Sequence, residues 1–267
     1  MARVILAAFD DLAVAGNAVA AIIGAGIIPG GLEMMDNPAI LAVEDFVHAG
    51  YPRDATALLL CELDGTGSEV EVGIREVTHM LQLQGATDIR VAADEAERQR
   101  FWSGRKNAFP AVGRISPDYY CIDGTIPKKR LGEVLTGISR LSNEYDLRVA
   151  NVFHAGDGNL HPLILYDGSQ PGEFERTEAL GGKILELCIA VGGTITGEHG
   201  VGVEKLNQMC VQFETPELEQ FHAMIKAFDP AALLNTGKAV RTLSRCAEFN
   251  AMHVHKGRLP FPELPRF

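Results

Sequence analysis

An α+β fold, built on one antiparallel sheet with helices against it, is the class this sequence predicts. Three observations carry the prediction. Short apolar runs alternate with longer stretches of helical spacing, turn residues punctuate nearly every boundary, and the first ninety or so residues run strand, helix, strand, strand, helix, strand. That order is the one of a ferredoxin-like plait. The expected architecture is therefore a ferredoxin-like antiparallel sheet with helices on one side, followed by a helical C-terminal portion.

The elements follow in order. Arg3–Phe9 is apolar and reads as a strand, and Asp11 can cap a helix running to about Ala25. Pro29-Gly30-Gly31 breaks it, and Leu32–Met35 extends again. Asn37-Pro38 opens a helix to about His48, since proline is tolerated in a first helical turn. Ala57–Leu63 is a strand closed by Asp64-Gly65, Ser68–Gln84 has helical spacing, and Asp88–Ala92 returns as a strand. Glu95–Lys106 is a helix, Asp118–Asp123 a strand and Lys128–Asp146 a helix. Two strands, Leu147–His154 and Asn159–Tyr166, precede the long helix Glu173–Val191. Glu204–Phe213 and Pro216–Phe228 are helices after the glycine-rich segment 192–202. The division expected is one domain over residues 1–240 and an irregular, proline-rich tail over 241–267.

Composition narrows the function. The 267 residues carry a net charge of -11, with acidic residues spread along the chain, which argues against nucleic acid as a partner. The five cysteines show no CxxC spacing and read as reduced thiols rather than a disulfide framework or metal cluster. The most apolar stretch, 12–28, is interrupted by Asn17 and glycines and reads as a buried helix, not a membrane span. No signal peptide is legible, so the expectation is a cytoplasmic protein, with any membrane attachment made through partners at the inner membrane. Gly24-Ala-Gly26-Ile-Ile-Pro-Gly30 lacks both the spacing and the strand-to-helix setting of a dinucleotide loop.

The chemistry concentrates in Phe153-His154-Ala-Gly-Asp157-Gly158-Asn-Leu-His161-Pro162. Asp-Gly between two apolar runs signals a tight hairpin. With Asp157 and Gly158 at the centre of the turn, His154 pairs with His161, and their Cβ atoms stand roughly 4.5–5.5 Å apart. Both rings can then reach one ion; ordinary hydrogen-bonded histidines in a buried hairpin are the alternative. A third ligand is available in Gly197-Glu198-His199-Gly200, where Glu198 can reach an ion while His199 faces a substrate. Two histidines and a glutamate with an open position form a known catalytic metal set; a mobile loop with a surface histidine is the bland alternative. Arg105, in Trp102-Ser-Gly-Arg105-Lys106, can clamp a carboxylate through two N–H groups or simply sit at a solvated helix end. Asn235-Thr-Gly-Lys238 is by itself only a turn.

His154-Ala-Gly-Asp-Gly-Asn-Leu-His161, Gly197-Glu-His-Gly-Val-Gly202, the run from Trp102 to Tyr120 and the ending Arg245–Phe249 together resemble the C-terminal domain of FAD-linked oxidases of the vanillyl-alcohol-oxidase type. That family includes D-lactate and D-2-hydroxyglutarate dehydrogenases, and the run from Trp102 is most similar to flavin subunits of bacterial glycolate oxidases. The resemblance implies a flavin-dependent 2-hydroxy-acid dehydrogenase half, taking glycolate or D-lactate to the 2-oxo acid. It implies His154, His161 and Glu198 as ligands of a divalent ion (Zn, Mn or Fe), His199 as general base, Arg105 as the clamp on the substrate carboxylate, and Asn235 beside the flavin ring. Thr236 stands where the family usually has proline. FAD is expected to be held mainly by an N-terminal domain that precedes this region and is absent from these residues, and iron–sulfur and second flavin subunits are the implied partners. A metal-binding cap or interaction domain without activity of its own is the alternative from another class; a metal-dependent hydrolase using the same three ligands is a third.

Overall fold

The computed structural model describes residues 1–240. The irregular tail expected over 241–267 lies outside the described residues. The described residues divide into two compact units, Met1–Glu198 and a second that begins at His199.

The first unit begins with strand β1 (Ala2–Phe9), helix α1 (Leu12–Gly24), β2 (Gly31–Asp36), α2 (Asn37–Val47), β3 (Ala57–Asp64), α3 (Gly67–Leu83) and β4 (Asp88–Val91). It continues with α4 (Glu95–Lys106), the short α5 (Ala108–Val112), β5 (Asp118–Cys121), β6 (Gly124–Thr125), a 3-10 turn at Lys128–Arg130, and α6 (Leu131–Tyr145). Then come β7 (Val149–His154), β8 (Asn159–Leu160), β9 (Pro162–Tyr166) and α7 (Glu173–Ala190). The helix starts are chemically marked. Asp11, Asp36 and Asp94 each accept a backbone N–H at an N-cap, and Thr66 with Glu69 forms a capping box.

The nine strands form one antiparallel sheet, β4-β1-β3-β2-β7-β8-β6, with β5 paired to β9 and β9 to β7. The stretch β4-β1-β3-β2 is the strand order of the expected plait. The expectation of helices on one side needs correction, because helices cover both faces. Val4, Leu6 and Ala8 of β1 join Met35, Leu58, Leu60 and Val152 in a core closed by α2, α4 and α5. Ile5, Ala7 and Phe9, which alternate with them, are also buried, and α1, α3 and α6 pack together with α1 and α3 against the same strands. The physical reason is compositional. A strand with only one buried face alternates apolar and polar residues, whereas β1 reads as a continuous apolar run. The α1–α6 contact is close: a Cβ added at Gly16 would lie 2.6 Å from the backbone nitrogen of Gly132.

The second unit holds α8 (Leu206–Gln212) and α9 (Thr215–Phe228). Glu214 and Glu217 form a capping box at the start of α9, and the Phe213 and Phe221 rings meet edge to face at 5.0 Å. No described helix is long and apolar enough to cross a membrane. Cys61, Cys121 and Cys188 carry thiols rather than disulfides, and burial pushes the Cys61 thiol up to about 12.

Candidate metal and substrate site

The histidine hairpin forms with a different turn. His154 pairs with Asn159, not His161, and the connection is the four-residue loop 155–158 rather than the two-residue turn expected. The loop closes through the amides of Asp157 and Gly158, which both donate to the His154 carbonyl, with Gly158 at φ +75°. A side chain at Gly158 would collide with the Ile126 carbonyl oxygen at 2.3 Å, so the loop is pinned to the chain beneath it. The shift in register is two residues, and side chains on a strand repeat every two. His161 therefore stays on the same face as His154, diagonal to it rather than opposite. The two rings meet edge to face with centroids 5.5 Å apart.

Glu198 completes the group. Its Oε1 lies 3.0 Å from Nε2 of His161, and one ligand atom from each of His154, His161 and Glu198 falls within 4.8 Å of the others. His161 is 2% exposed and its ring stands edge-on to Phe109, whereas the Glu198 side chain reaches the surface. Two imidazoles and one carboxylate at this separation are a donor set that a divalent ion accepts. The residues present therefore fit such an ion.

Glu198 is held in place by a residue the sequence did not single out. Asp123, fully buried, accepts the Gly197 amide at 3.0 Å, the Glu198 amide at 3.3 Å and the Thr196 hydroxyl at 2.7 Å. Gly197 is required beneath this contact, since a Cβ there would lie 2.3 Å from Asn159 Oδ1.

Arg105 comes from the last turn of α4, where a cation is favoured by the helix dipole. It does not end in solvent. Its Nε donates to Glu33 Oε2 at 2.8 Å, and the other oxygen of Glu33 lies 2.8 Å from Nδ1 of His154. Arg105 and His154 are thus tied through one buried acid. Glu33 was also missed in the sequence; its only signal was a lone carboxylate inside the apolar run Leu32–Met35. Beside it opens a cavity of about 550 Å³, lined by Glu33, His154, Lys128, Asp157 and the glycines of the α1–β2 connection.

His199 and Asn235 belong to the second unit. Asn235 sits in the left-handed region, φ +49°, and accepts the Lys238 ammonium at 3.0 Å. The Gly24–Gly30 segment leaves α1 and enters β2, the reverse of the strand-to-helix crossing that a dinucleotide loop needs.

Residues 1–239 match the family described as FAD linked oxidases, C-terminal domain, and the chain belongs to that family. Among curated proteins it is similar to the glycolate oxidase subunit GlcD of Escherichia coli K12. The two are 68% identical over 267 residues, which is all of this chain and 54% of that protein. The subunit of the same name from Bacillus subtilis is 34% identical over 236 residues, 88% of this chain and 50% of that protein. D-lactate dehydrogenase of Archaeoglobus fulgidus is 30% identical over 221 residues, 81% of this chain and 47% of that protein. The chain thus spans about half the length of these relatives. Among solved structures, 4-ethylphenol oxidase from Gulosibacter chungangensis superposes with a TM-score of 0.69 at 15% identity, covering 92% of this chain and 55% of that one. p-Cresol methylhydroxylase gives 0.68, also at 15%, covering 91% and 53%. These likenesses show the fold alone.

Proposed function

We propose that this chain is the substrate- and metal-binding half of a flavin-linked 2-hydroxy-acid dehydrogenase, oxidising a small acid such as glycolate or D-lactate to its 2-oxo acid. One observation carries the reading: three ligand atoms of His154, His161 and Glu198 converge within 4.8 Å, and a guanidinium is tied to the same cluster through Glu33. A 2-hydroxy acid presents a carboxylate and a hydroxyl on adjacent carbons, and this arrangement offers a cation for the first and an ion site for the second. The names of the similar proteins agree with it.

When bound, a divalent ion supplies Lewis acidity at the hydroxyl oxygen, and FAD supplies the acceptor for two electrons from C2. His154, His161 and Glu198 would hold the ion, which Zn, Mn or Fe can satisfy. Arg105 pairs with the substrate carboxylate through the nitrogens that Glu33 leaves open. His199 would take the hydroxyl proton, and Asn235 is the residue we assign to the flavin. FAD is held mainly by a domain outside these residues. The curated GlcD relatives are named as subunits, which supports assembly with further subunits, iron–sulfur and flavin-bearing among them, and through them contact with the inner membrane from the cytoplasm.

The test measures metal content after dialysis against Mn²⁺ or Zn²⁺, and dye reduction by glycolate and D-lactate with FAD supplied. The chain should hold one ion per copy, and His161→Ala should lose it. In the assembled enzyme, His199→Ala should keep the ion and lose turnover. Retention of the ion by His161→Ala would overturn the ligand set. Metal binding without turnover, even in the assembled enzyme, would favour an inactive metal-binding cap.

A further inference from the structure

Glu33 is 8% exposed, in an otherwise apolar strand. Burying a carboxylate costs several kcal/mol unless both oxygens find donors. Both have partners, from elements distant in sequence: Arg105 Nε donates from the last turn of α4, and His154 Nδ1 meets the other oxygen from the end of β7, each at 2.8 Å. The second contact is fixed by the ladder, because Glu33 stands directly opposite His154 in the β2–β7 pairing. Register in the middle of a sheet, rather than a loop, therefore sets the distance.

Two consequences follow from the chemistry of the three groups. An ionised carboxylate only accepts hydrogen bonds, so the proton of the neutral imidazole lies on Nδ1 and the Nε2 lone pair is bare. Bare Nε2 is the form that ligates a metal, and a carboxylate behind the ring both fixes it and raises its basicity. Arg105, bound through Nε, keeps its two terminal nitrogens for another carboxylate. We propose that Glu33 is a positioning residue that couples the two halves of the site: it holds His154 in the Nδ1–H tautomer and aims Arg105 at the substrate carboxylate. The consequences for metal and for the substrate carboxylate rest on the function proposed above; the tautomer does not.

Glu33→Gln separates these statements. A glutamine has one acceptor oxygen, and a guanidinium can only donate. The amide oxygen therefore goes to Arg105, and the amide NH₂ faces His154 Nδ1, which must now accept. The tautomer reverses and the proton blocks Nε2. Long-range ¹⁵N–¹H correlation spectra of the full chain, in chelator and mildly alkaline buffer, read the tautomer directly, with the His154 signals assigned by their loss in His154→Gln. The wild type should show Nδ1–H and the variant Nε2–H. Titration with Mn²⁺ should then show binding weakened about 10- to 100-fold, with Glu33→Asp recovering part of the loss. An Nε2–H ring in the wild type, or an unchanged ring in a folded variant, overturns the proposal; the wild-type spectrum alone decides it if Glu33→Gln does not fold. A tautomer that reverses in a chain that binds no Mn²⁺ upholds the positioning role and sinks the metal reading instead.

Discussion

Asp123→Asn tests whether one buried acid holds the Glu198 segment. Its Oδ2 accepts from the Thr196 hydroxyl and the Gly197 amide, and its Oδ1 from the Gly197 and Glu198 amides. Asparagine keeps the shape and converts one of these oxygens to a donor. If the NH₂ replaces Oδ2 it confronts the Gly197 N–H, although the Thr196 hydroxyl can rotate to accept. If it replaces Oδ1 it confronts both amides. Either way at least one N–H loses a charged acceptor, and the bonds that remain lose their charge assistance. A hydrogen bond to a charged group contributes ~1.5–3 kcal/mol, so the total loss is about 2–4 kcal/mol. In a chain of this size that corresponds to a fall in melting temperature of roughly 5–15 °C if the whole unit unfolds together. If only the segment opens, the same energy appears as local opening, with Gly197 amide exchange faster by about 30-fold to 1000-fold. Urea unfolding and hydrogen exchange measured on the same samples cover both cases. A midpoint unchanged within about 0.5 kcal/mol, together with unchanged Gly197 protection, would refute the reasoning.

Two other perturbations follow from the same coordinates. Desolvation raises Asp36 from 3.8 to about 7 in the fold, so the group is neutral in both states at low pH. Its contribution to stability falls as pH rises through the window from about 4 to about 7, by a few kcal/mol. Asp36→Asn should remove that slope from urea midpoints taken across the window. It retains a good N-cap for α2, and a flip of Asn151, whose Oδ1 has no hydrogen-bond partner among the described residues, restores the side-chain bond; an undiminished slope counts against the burial argument. Gly197→Ala places a methyl 2.3 Å from Asn159 Oδ1 and 2.7 Å from Thr125 Oγ1, and the forced shift of the Glu198 segment should weaken Mn²⁺ binding about tenfold or more, read by the same titration as for Glu33→Gln.

How much of this was legible in the sequence depends on the range of the physics involved. Elements written in local chemistry were readable. Asp94 caps α4 and the helix runs Glu95–Lys106, the bounds that spacing alone predicts. Short elements without local periodicity, α5 and β6, were not anticipated, since they form against neighbours already in place. The hairpin shows both sides of this. Asp157-Gly158 signalled a turn, but its length was misjudged, because Gly156 and Gly158 are needed for close approach to Leu32 and Ile126 rather than for a two-residue turn. The prediction that His154 and His161 share a face survived, because an error of two residues preserves strand parity. Glu33 and Asp123 carried little signal at all. Their partners lie more than seventy residues away in sequence, and no window short enough to show a period contains both ends of such a contact.

The location of the site explains why those long-range acids matter. In the order β4-β1-β3-β2, strand β2 would be an open edge, and an open edge of unpaired N–H and C=O groups is a liability. Here β7 closes it. Glu33 and His154 are opposed residues of that seam, and they share their faces with Met35 and Val152, which lie in the core under α2, α4 and α5. Arg105 reaches the seam from α4, while His161 follows from the strand partner of β7 on the other side. The donor cluster therefore cannot exist in either half of the first unit alone. It comes into being only when the plait of the first ninety or so residues accepts the strand that arrives sixty residues later, so assembling the sheet and assembling the site are the same event. A substitution that loosens the β2–β7 seam should for that reason disturb ion binding before it disturbs the remainder of the fold, and Glu33, which meets His154 across that seam, is the residue through which the two are joined.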